Sequence, residues 1–230
     1  MLANQLAWLG ALLLMTAWSL AAAQDSESDV QAWNALAVAG PVANDSSLLF
    51  WFDGHARFRD DASELGVTIV RPALGWRAHK NLDLWAGYAR VVSRQDLGPD
   101  IKEDRAWQQA TFPLPAVLGG SLSGRSRLEQ RFRNTGDDTG WRFRQFIRWG
   151  KRIERTNFSI VVWDEVFVNL HHTDWGQREG FNQNRLFVGG AWHLGDQTRV
   201  EAGYLHNLLD TPGPDEQSNH NISLTFFCSL

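Results

Sequence analysis

The chain has 230 residues, enough for one sizeable domain or one closed barrel, and a formal net charge of −4. That balance leaves no basic footprint for nucleic acid, and the single Cys228 excludes an internal disulfide framework or a cysteine-based metal site. Twelve tryptophans are an excess, and tryptophan favours places that are apolar at one end and wet at the other, membrane interfaces among them.

Residues 1–23 read as a cleaved secretory signal. The run Leu6–Leu20 carries no charge, and Ala21-Ala22-Ala23 supplies the small residues a signal peptidase needs before Gln24. The segment before the run lacks Lys and Arg; an uncleaved anchor is the other reading, for which the run is short. No later segment approaches the ~18 apolar residues of a spanning helix. Residues 24–46 form a leader with a first candidate strand, and 47–230 form the main domain.

From residue 30 onward the apolar pattern has a period of two, the mark of strands. The segments are 30–39, 47–59, 64–76, 81–92, 102–112, 121–133, 140–151, 157–169, 181–194, 198–208 and 217–229. In 47–59, Leu48, Phe50, Phe52, Ala56 and Phe58 oppose Trp51, Asp53, His55, Arg57 and Arg59. In 102–112, Glu103, Arg105, Trp107 and Gln109 oppose Ala106, Ala110 and Phe112; Pro113 and Pro115 fall in a linker, 113–120. The densest pattern is the hairpin Gly124–Lys151. One face of its first arm holds Arg125, Arg127, Glu129, Arg131 and Arg133; its second arm sets Arg142, Arg144 and Arg148 against Trp141, Phe143, Ile147 and Trp149. Farther on, an apolar face of 157–169 is interrupted by Asp164, and Glu165, Arg185 and Glu201 lie on the polar faces of later segments.

Two all-β architectures bury such faces. A soluble sandwich or lipocalin-like barrel turns the apolar face inward; an antiparallel up-and-down transmembrane barrel turns it outward to lipid. Segments of about ten residues or more suit a tilted crossing. Trp51, Trp76, Trp85, Trp141, Trp149, Trp175 and Trp192 near strand ends suit interfacial girdles. The membrane barrel is therefore the expected fold. The long linkers are Ser93–Ile101, Leu170–Gly180 and Leu209–Glu216, and the short ones Arg77–Lys80 and Gly195–Gln197. Long external loops and short periplasmic turns put the C-terminus on the periplasmic side. Segments 47–229 make ten strands, leaving 30–39 outside the wall or demanding an unseen partner, so ten or twelve strands are expected.

Several motifs in order carry a family resemblance: Trp33, Ala86-Gly87-Tyr88, Glu103-Asp104-Arg105-Ala106-Trp107-Gln108-Gln109, and Arg125-Ser126-Arg127-Leu128-Glu129-Gln130-Arg131-Phe132. Arg142-Phe143-Arg144, Trp163-Asp164-Glu165-Val166-Phe167, Phe181-Asn182-Gln183-Asn184-Arg185 and Glu201-Ala202-Gly203-Tyr204 complete them. The chain resembles the bacterial family catalogued as domain of unknown function 2490 (DUF2490). The resemblance implies an outer-membrane-type β-barrel and brings no activity or catalytic residues. The terminus Phe226-Phe227-Cys228-Ser229-Leu230 departs from the terminal aromatic that barrel assembly usually recognises.

The chemistry concentrates in one expected network of lumen charge: Arg57, Glu103, Arg105, Arg125, Arg127, Glu129, Arg131, Arg142, Arg144, Glu165, Arg185 and Glu201. Its role is either structural, filling the lumen with ion pairs, or that of a narrow, porin-like, anion-preferring path. A lipid-modifying hydrolase is the alternative, with His171 or His172 and Ser159 or Asp174 as its only candidates; a soluble periplasmic binding barrel is another. Adjacent His171 and His172 diverge on a strand, so neither a metal site nor a catalytic set is assigned, and no cofactor is expected. The expected partners are outer-membrane lipid, the barrel-assembly machinery and small anions, in a bacterial outer membrane reached by secretion.

Overall fold

A computed structural model describes residues 28–210 and 217–230; the expected signal over 1–23 and most of the linker 209–216 lie outside them. Eleven strands follow in order. They are β1 (Ser28–Pro41), β2 (Leu48–Arg59), β3 (Glu64–His79), β4 (Leu82–Ser93), β5 (Ile101–Val117) and β6 (Gly120–Arg133). β7 (Thr139–Arg152), β8 (Phe158–Asn169), β9 (Gly180–His193), β10 (Thr198–Leu209) and β11 (Gln217–Ser229) complete the wall. Each strand pairs with its neighbour in sequence, and β1 closes the ring against β11. Among the described residues there is no helix.

The expected count of ten or twelve is corrected by the closing pair. In a meander every hairpin reverses direction, so first and last strands run antiparallel when the count is even and parallel when it is odd. Here β1 and β11 are parallel, in register from Ser28↔Ser218 to Ala39↔Ser229, while β1 pairs antiparallel with β2. The first segment is thus neither outside the wall nor short of a partner. Parallel ladders are somewhat weaker per residue than antiparallel ones, but this one closes the sheet, so that every strand has a neighbour on both sides. Leu230 extends the seam by donating its amide to the Ala39 carbonyl at 2.9 Å.

A second correction concerns the prolines. Pro113 lies within β5 and pairs in register with Ser123 of β6, so 113–120 is not a linker. The ladder from β4 reaches only Thr111, opposite Asp83. Beyond it, β5 has no partner on that side, and a missing N–H interrupts little. The hairpin then turns on Leu118 and Gly119 alone, with φ of 53° and 73°. Two successive positive φ values give the twist that two-residue β-hairpins favour.

Odd closure sorts the ends of the strands. The connections at 60–63, 94–100, 134–138 and 170–179 share one rim with the start of β1. The connections at 42–47, 80–81, 118–119, 153–157 and 194–197 share the other with the C-terminus. The two ends of the wall therefore emerge at opposite rims, the first beside the long loops.

The barrel is inside-out relative to a soluble one. Leu36, Phe52, Leu74, Trp76, Leu84, Phe143, Ile160, Val188, Trp192 and Ile222 are exposed on the outer face, while Glu129, Arg127 and Glu165 are buried. Period-two alternation makes this division automatic once one face is chosen. Two apolar clusters also stand inside the wall: Ala73, Ala89 and Trp107 with Trp51 and Trp85, and Val161, Phe187, Ala191 and Leu205 with Trp33 and Trp163. The expected tryptophan girdle is corrected accordingly. Trp51 and Trp85 pack edge to face inside, at 6.3 Å, and Trp175 is buried in a loop. Trp76, Trp141 and Trp192 do lie exposed. Strand-end position alone does not say which way a ring points; parity within the strand does.

The odd closure is testable by cross-linking. With Cys228→Ser as background, cysteines at Ala35 and Thr225, register partners across the parallel seam, are expected to link through a short bismaleimide in the folded protein. A ten-strand wall with β1 outside would leave them unlinked on a denaturing gel.

Candidate functional site

Cross-strand register builds the lumen network. Arg127 stands opposite Arg144, and Glu129 opposite Arg142. Like charges directly opposite are unfavourable, so the like-charged pair depends on the carboxylate one step along. Glu129 Oε1 accepts from Arg144 Nη1 at 2.6 Å, and Oε2 from Arg142 Nη2 at 2.6 Å. Arg127 Nη1 stands 3.7 Å from the same carboxylate. Glu129 is 1% exposed.

The same construction recurs around the ring. Glu165 accepts from Arg125 at 2.5 Å and from Arg144 at 2.7 Å. Glu103 accepts two bonds from Arg131, at 2.7 and 2.9 Å, and a third from Arg105. Glu201 accepts from Arg148 at 2.5 Å and Arg199 at 2.9 Å. A carboxylate has about four lone-pair sites, and a guanidinium offers a planar fork, so one acid can satisfy two arginines. Arg144 serves both Glu129 and Glu165, so these two acids hold three arginines, Arg125, Arg142 and Arg144, and arginine stays in excess. Pairing organises the lumen without neutralising it.

Arg57, Arg133 and Arg185 donate to no carboxylate among the described residues. Aromatic faces take the acids' place. Arg57 lies 3.9 Å from the Trp33 ring centre, Arg185 lies 4.8 Å from the same ring, and Arg133 lies 5.5 Å from Trp175. Phe167 collects three guanidinium groups, from Arg142, Arg144 and Arg185, at 5.2, 4.4 and 4.7 Å. Cation–π contacts strengthen with burial, and Arg142 and Arg144 are buried.

All twelve residues expected in the lumen network face the interior; Glu201 is joined not to the other members but to Arg148 and Arg199. Sequence reasoning left several partners out of that set. Asp53 accepts from Arg71 at 2.8 Å and from Trp51 at 2.7 Å, with His55 at 3.2 Å. Gln109 accepts from Arg127 Nε at 2.8 Å, Asn182 accepts from Arg142 at 3.1 Å, and Arg148 and Arg199 flank Glu201. Asp53, His55, Gln109 and Arg148 alternate in phase with the charges that were chosen, so the same period-two signal reaches them. The roles of Trp33 and Phe167 have no comparable signal, since a ring on a charged face reads as an exception.

The network does not fill the lumen. A cavity of about 870 Å³ runs beside it, lined at one rim by Arg94, Arg133 and Gln217 and toward the other by Arg148, Arg199 and Phe227. Glu129, Arg127, Trp107 and Gln109 take no part in its lining and form the packed side. β1, β2, β3, β10 and β11 supply much of the open side, including Trp33, Arg57, Arg71 and Asn207.

Over the packed side, two loops of the long-loop rim clasp each other. The backbone amides of Asp137 and Asp138 donate to the Asp174 carboxylate at 2.8 and 3.2 Å, and Asp138 Oδ2 accepts from the Asp174 amide at 2.8 Å. The Asp137 amide, foremost among these donors, holds the Asp174 carboxyl below its ordinary range. This seats Trp175, which lies 5.1 Å from Arg131, and Gln177, which accepts from Arg131 at 3.2 Å. Gly140 is required beneath them, because a Cβ there would stand 2.5 Å from the Trp175 ring.

The hydrolase candidates are dispersed. His171 Nε2 meets the Thr139 carbonyl at 2.9 Å, His172 is exposed, and Asp174 is engaged in the loop clasp. Ser159 lies toward the opposite rim, where its Oγ is 2.9 Å from His193 Nε2. Among the described residues no carboxylate meets His193 to orient it, as a hydrolytic triad requires. None of the described residues forms a cluster of three or more His, Cys, Asp or Glu suited to a metal ion.

A closed meander with apolar residues outside and arginine–carboxylate units inside defines the class: an inside-out β-barrel with an electropositive lumen. The chain belongs to the DUF2490 family, described as proteins of unknown function, whose family model matches residues 30–219. It is similar to an uncharacterized protein of Methylorubrum extorquens, 31% identical over 218 residues, with 94% of each chain covered. No solved structure matches the chain.

Removing Glu129 leaves Arg142 and Arg144 buried with less compensation. Truncating one partner of a buried ion pair costs about 3–5 kcal/mol. Glu129→Ala is expected to lower the urea midpoint of the barrel in lipid vesicles, read by tryptophan fluorescence. An unchanged midpoint would contradict a packed ion-pair side.

Proposed function

We propose that the protein is a bacterial outer-membrane β-barrel, reached by secretion with a cleaved signal peptide, that offers small anions a narrow water-filled path. The carrying observation is the 870 Å³ cavity lined from rim to rim, beside ion pairs that leave positive charge in excess. Rings of arginine select anions in pores of this kind.

The outer face supports the membrane part of the reading. The shortest strands have 12 residues, about 40 Å of extended chain, which a tilt of roughly 40° projects to about the 30 Å of a hydrocarbon core. The exposed apolar side chains recur around the wall, as lipid contact requires. A lipocalin-like binding barrel would need the opposite parity, with its apolar face inside. On this reading the long-loop rim faces outward and the short turns and C-terminus face the periplasm. Outer-membrane lipid and the barrel-assembly machinery are then the partners of folding.

The packed side and the open side divide the labour. Ion pairs on β5, β6, β7 and β8 fix the wall, and the cavity between them and the other strands conducts. In planar bilayers under a potassium chloride gradient, the purified barrel is expected to give discrete current steps with a reversal potential of anion-selective sign. A cation-selective sign, or silence from a folded barrel, would overturn the passage.

A further inference from the structure

We propose that the lumen holds a built site for a small dianionic oxyanion, such as inorganic phosphate or a short dicarboxylate, on Arg57 and Arg185. The inference rests on the electropositive lumen described above and goes further, because it assigns a resident ligand class where that reading needs only a field.

Three observations converge on these two residues. Both guanidinium groups lie within 5 Å of one ring centre, that of Trp33, at 3.9 and 4.8 Å. Two cations are thereby held near each other, although neither donates to a carboxylate. Trp33 is itself fixed, since it stands opposite Arg57 in the β1–β2 ladder and donates its Nε1 to Gln31 at 3.0 Å. Next, Arg57 Nε is buried without a hydrogen-bond partner. Buried polar groups in folded proteins are nearly always satisfied, by protein or by a bound species. Finally, Arg57, Arg185 and Trp33 all line the cavity, so a solute passing between the rims meets them.

The chemistry selects the ligand class. A guanidinium fork presents parallel N–H groups that match two oxygens of one carboxylate or phosphate. The fork of Arg57 on β2 and the outer end of Arg185 on β9 match an anion carrying oxygens on two sides and two charges. Chloride, spherical and singly charged, can neutralise one of them but bridges both poorly. Arg185 is also aimed from its side: the Gln183 amide oxygen accepts from its Nε at 2.8 Å and its Nη2 at 2.9 Å, which turns Nη1 toward a ligand. Elsewhere in this lumen a glutamate side chain joins pairs of arginines; Glu165 stands opposite Arg185 but accepts its hydrogen bonds from Arg125 and Arg144, and the anion takes that role between Arg57 and Arg185.

The test is equilibrium titration of the detergent-folded barrel with inorganic phosphate and with succinate, followed by calorimetry at constant ionic strength. Saturable binding at millimolar or lower concentration is expected for both, weakened about tenfold in Arg57→Gln and in Arg185→Gln, the loss of one charge-assisted contact. Arg90→Gln, whose guanidinium pairs with Asp104 away from the cavity, is expected to bind as the parent does. If a variant fails to fold, Trp33→Phe, which keeps both charges but weakens their shared platform, serves in its place and is expected to bind more weakly. Absence of saturable binding in the parent, or binding unaffected by the variants, overturns the site. Because calorimetry does not depend on conduction, loss of the site leaves an anion-selective bilayer current standing, and loss of the current leaves the site standing.

Discussion

A carboxylate shared between two guanidinium groups is the interaction on which the inside of this barrel depends. Glu103, Glu129, Glu165 and Glu201 each take hydrogen bonds from two arginines. Burial of charge is costly unless geometry and hydrogen bonding repay it. The two-to-one unit meets that condition with the fewest acids, because it uses most of the carboxylate's acceptor capacity. Arginine still outnumbers the acids, even with Arg144 shared between Glu129 and Glu165, so the construction that stabilises the wall sets the sign of the lumen's field. Structure and the sign of the lumen charge come from the same contacts.

The second constraint is topological. An odd meander can close only through a parallel seam, and that seam puts the first strand's start on the long-loop rim. The seam strands are also the less charged ones: β1 and β11 face inward with Trp33, Ala35, Asn219, Ser223 and Thr225 among the cavity's lining. The densest charge sits away from the seam, on β5 to β8, while Arg57 on β2 and Glu201 on β10 stand beside it. Small and polar residues on β1 and β11 leave open what the arginines on the other side fill. The asymmetry of the lumen thus follows from which strands carry bulk and charge.

Much of this was legible in the sequence because a strand wall has only one variable, the phase of its alternation. Once Arg125 to Arg133 are assigned to one face, Glu103, Glu165 and Arg185 follow by the same rule, and the structure sets them all on the interior. The strand count was not legible. Eleven segments are visible, but choosing ten or twelve imported the even parity of common bacterial barrels, and no residue pattern distinguishes a parallel closing pair from an antiparallel one. Pro113 looked like a linker because proline penalises a central strand; only the register shows that β4 has already ended beside it. Trp51 and Trp85 looked like girdle residues from their place near strand ends, although their parity with Asp53 and Ala89 puts them inside. Inward aromatic rings such as Phe167 acquire meaning only in three dimensions, where they face guanidinium groups from β7 and β9.

The central claim is that this barrel encloses a water-filled space of positive potential. The most direct measurement is the rate at which a cysteine at Ala35, which lines the cavity, reacts with methanethiosulfonates of opposite charge in lipid vesicles, with Cys228→Ser as background. The account predicts modification by both reagents, faster for the anionic one, with Leu36→Cys on the outer face reacting with neither. Equal rates, or faster reaction with the cation, would contradict the positive lumen, and an inert Ala35→Cys beside a reactive Leu36→Cys would contradict the inside-out wall itself.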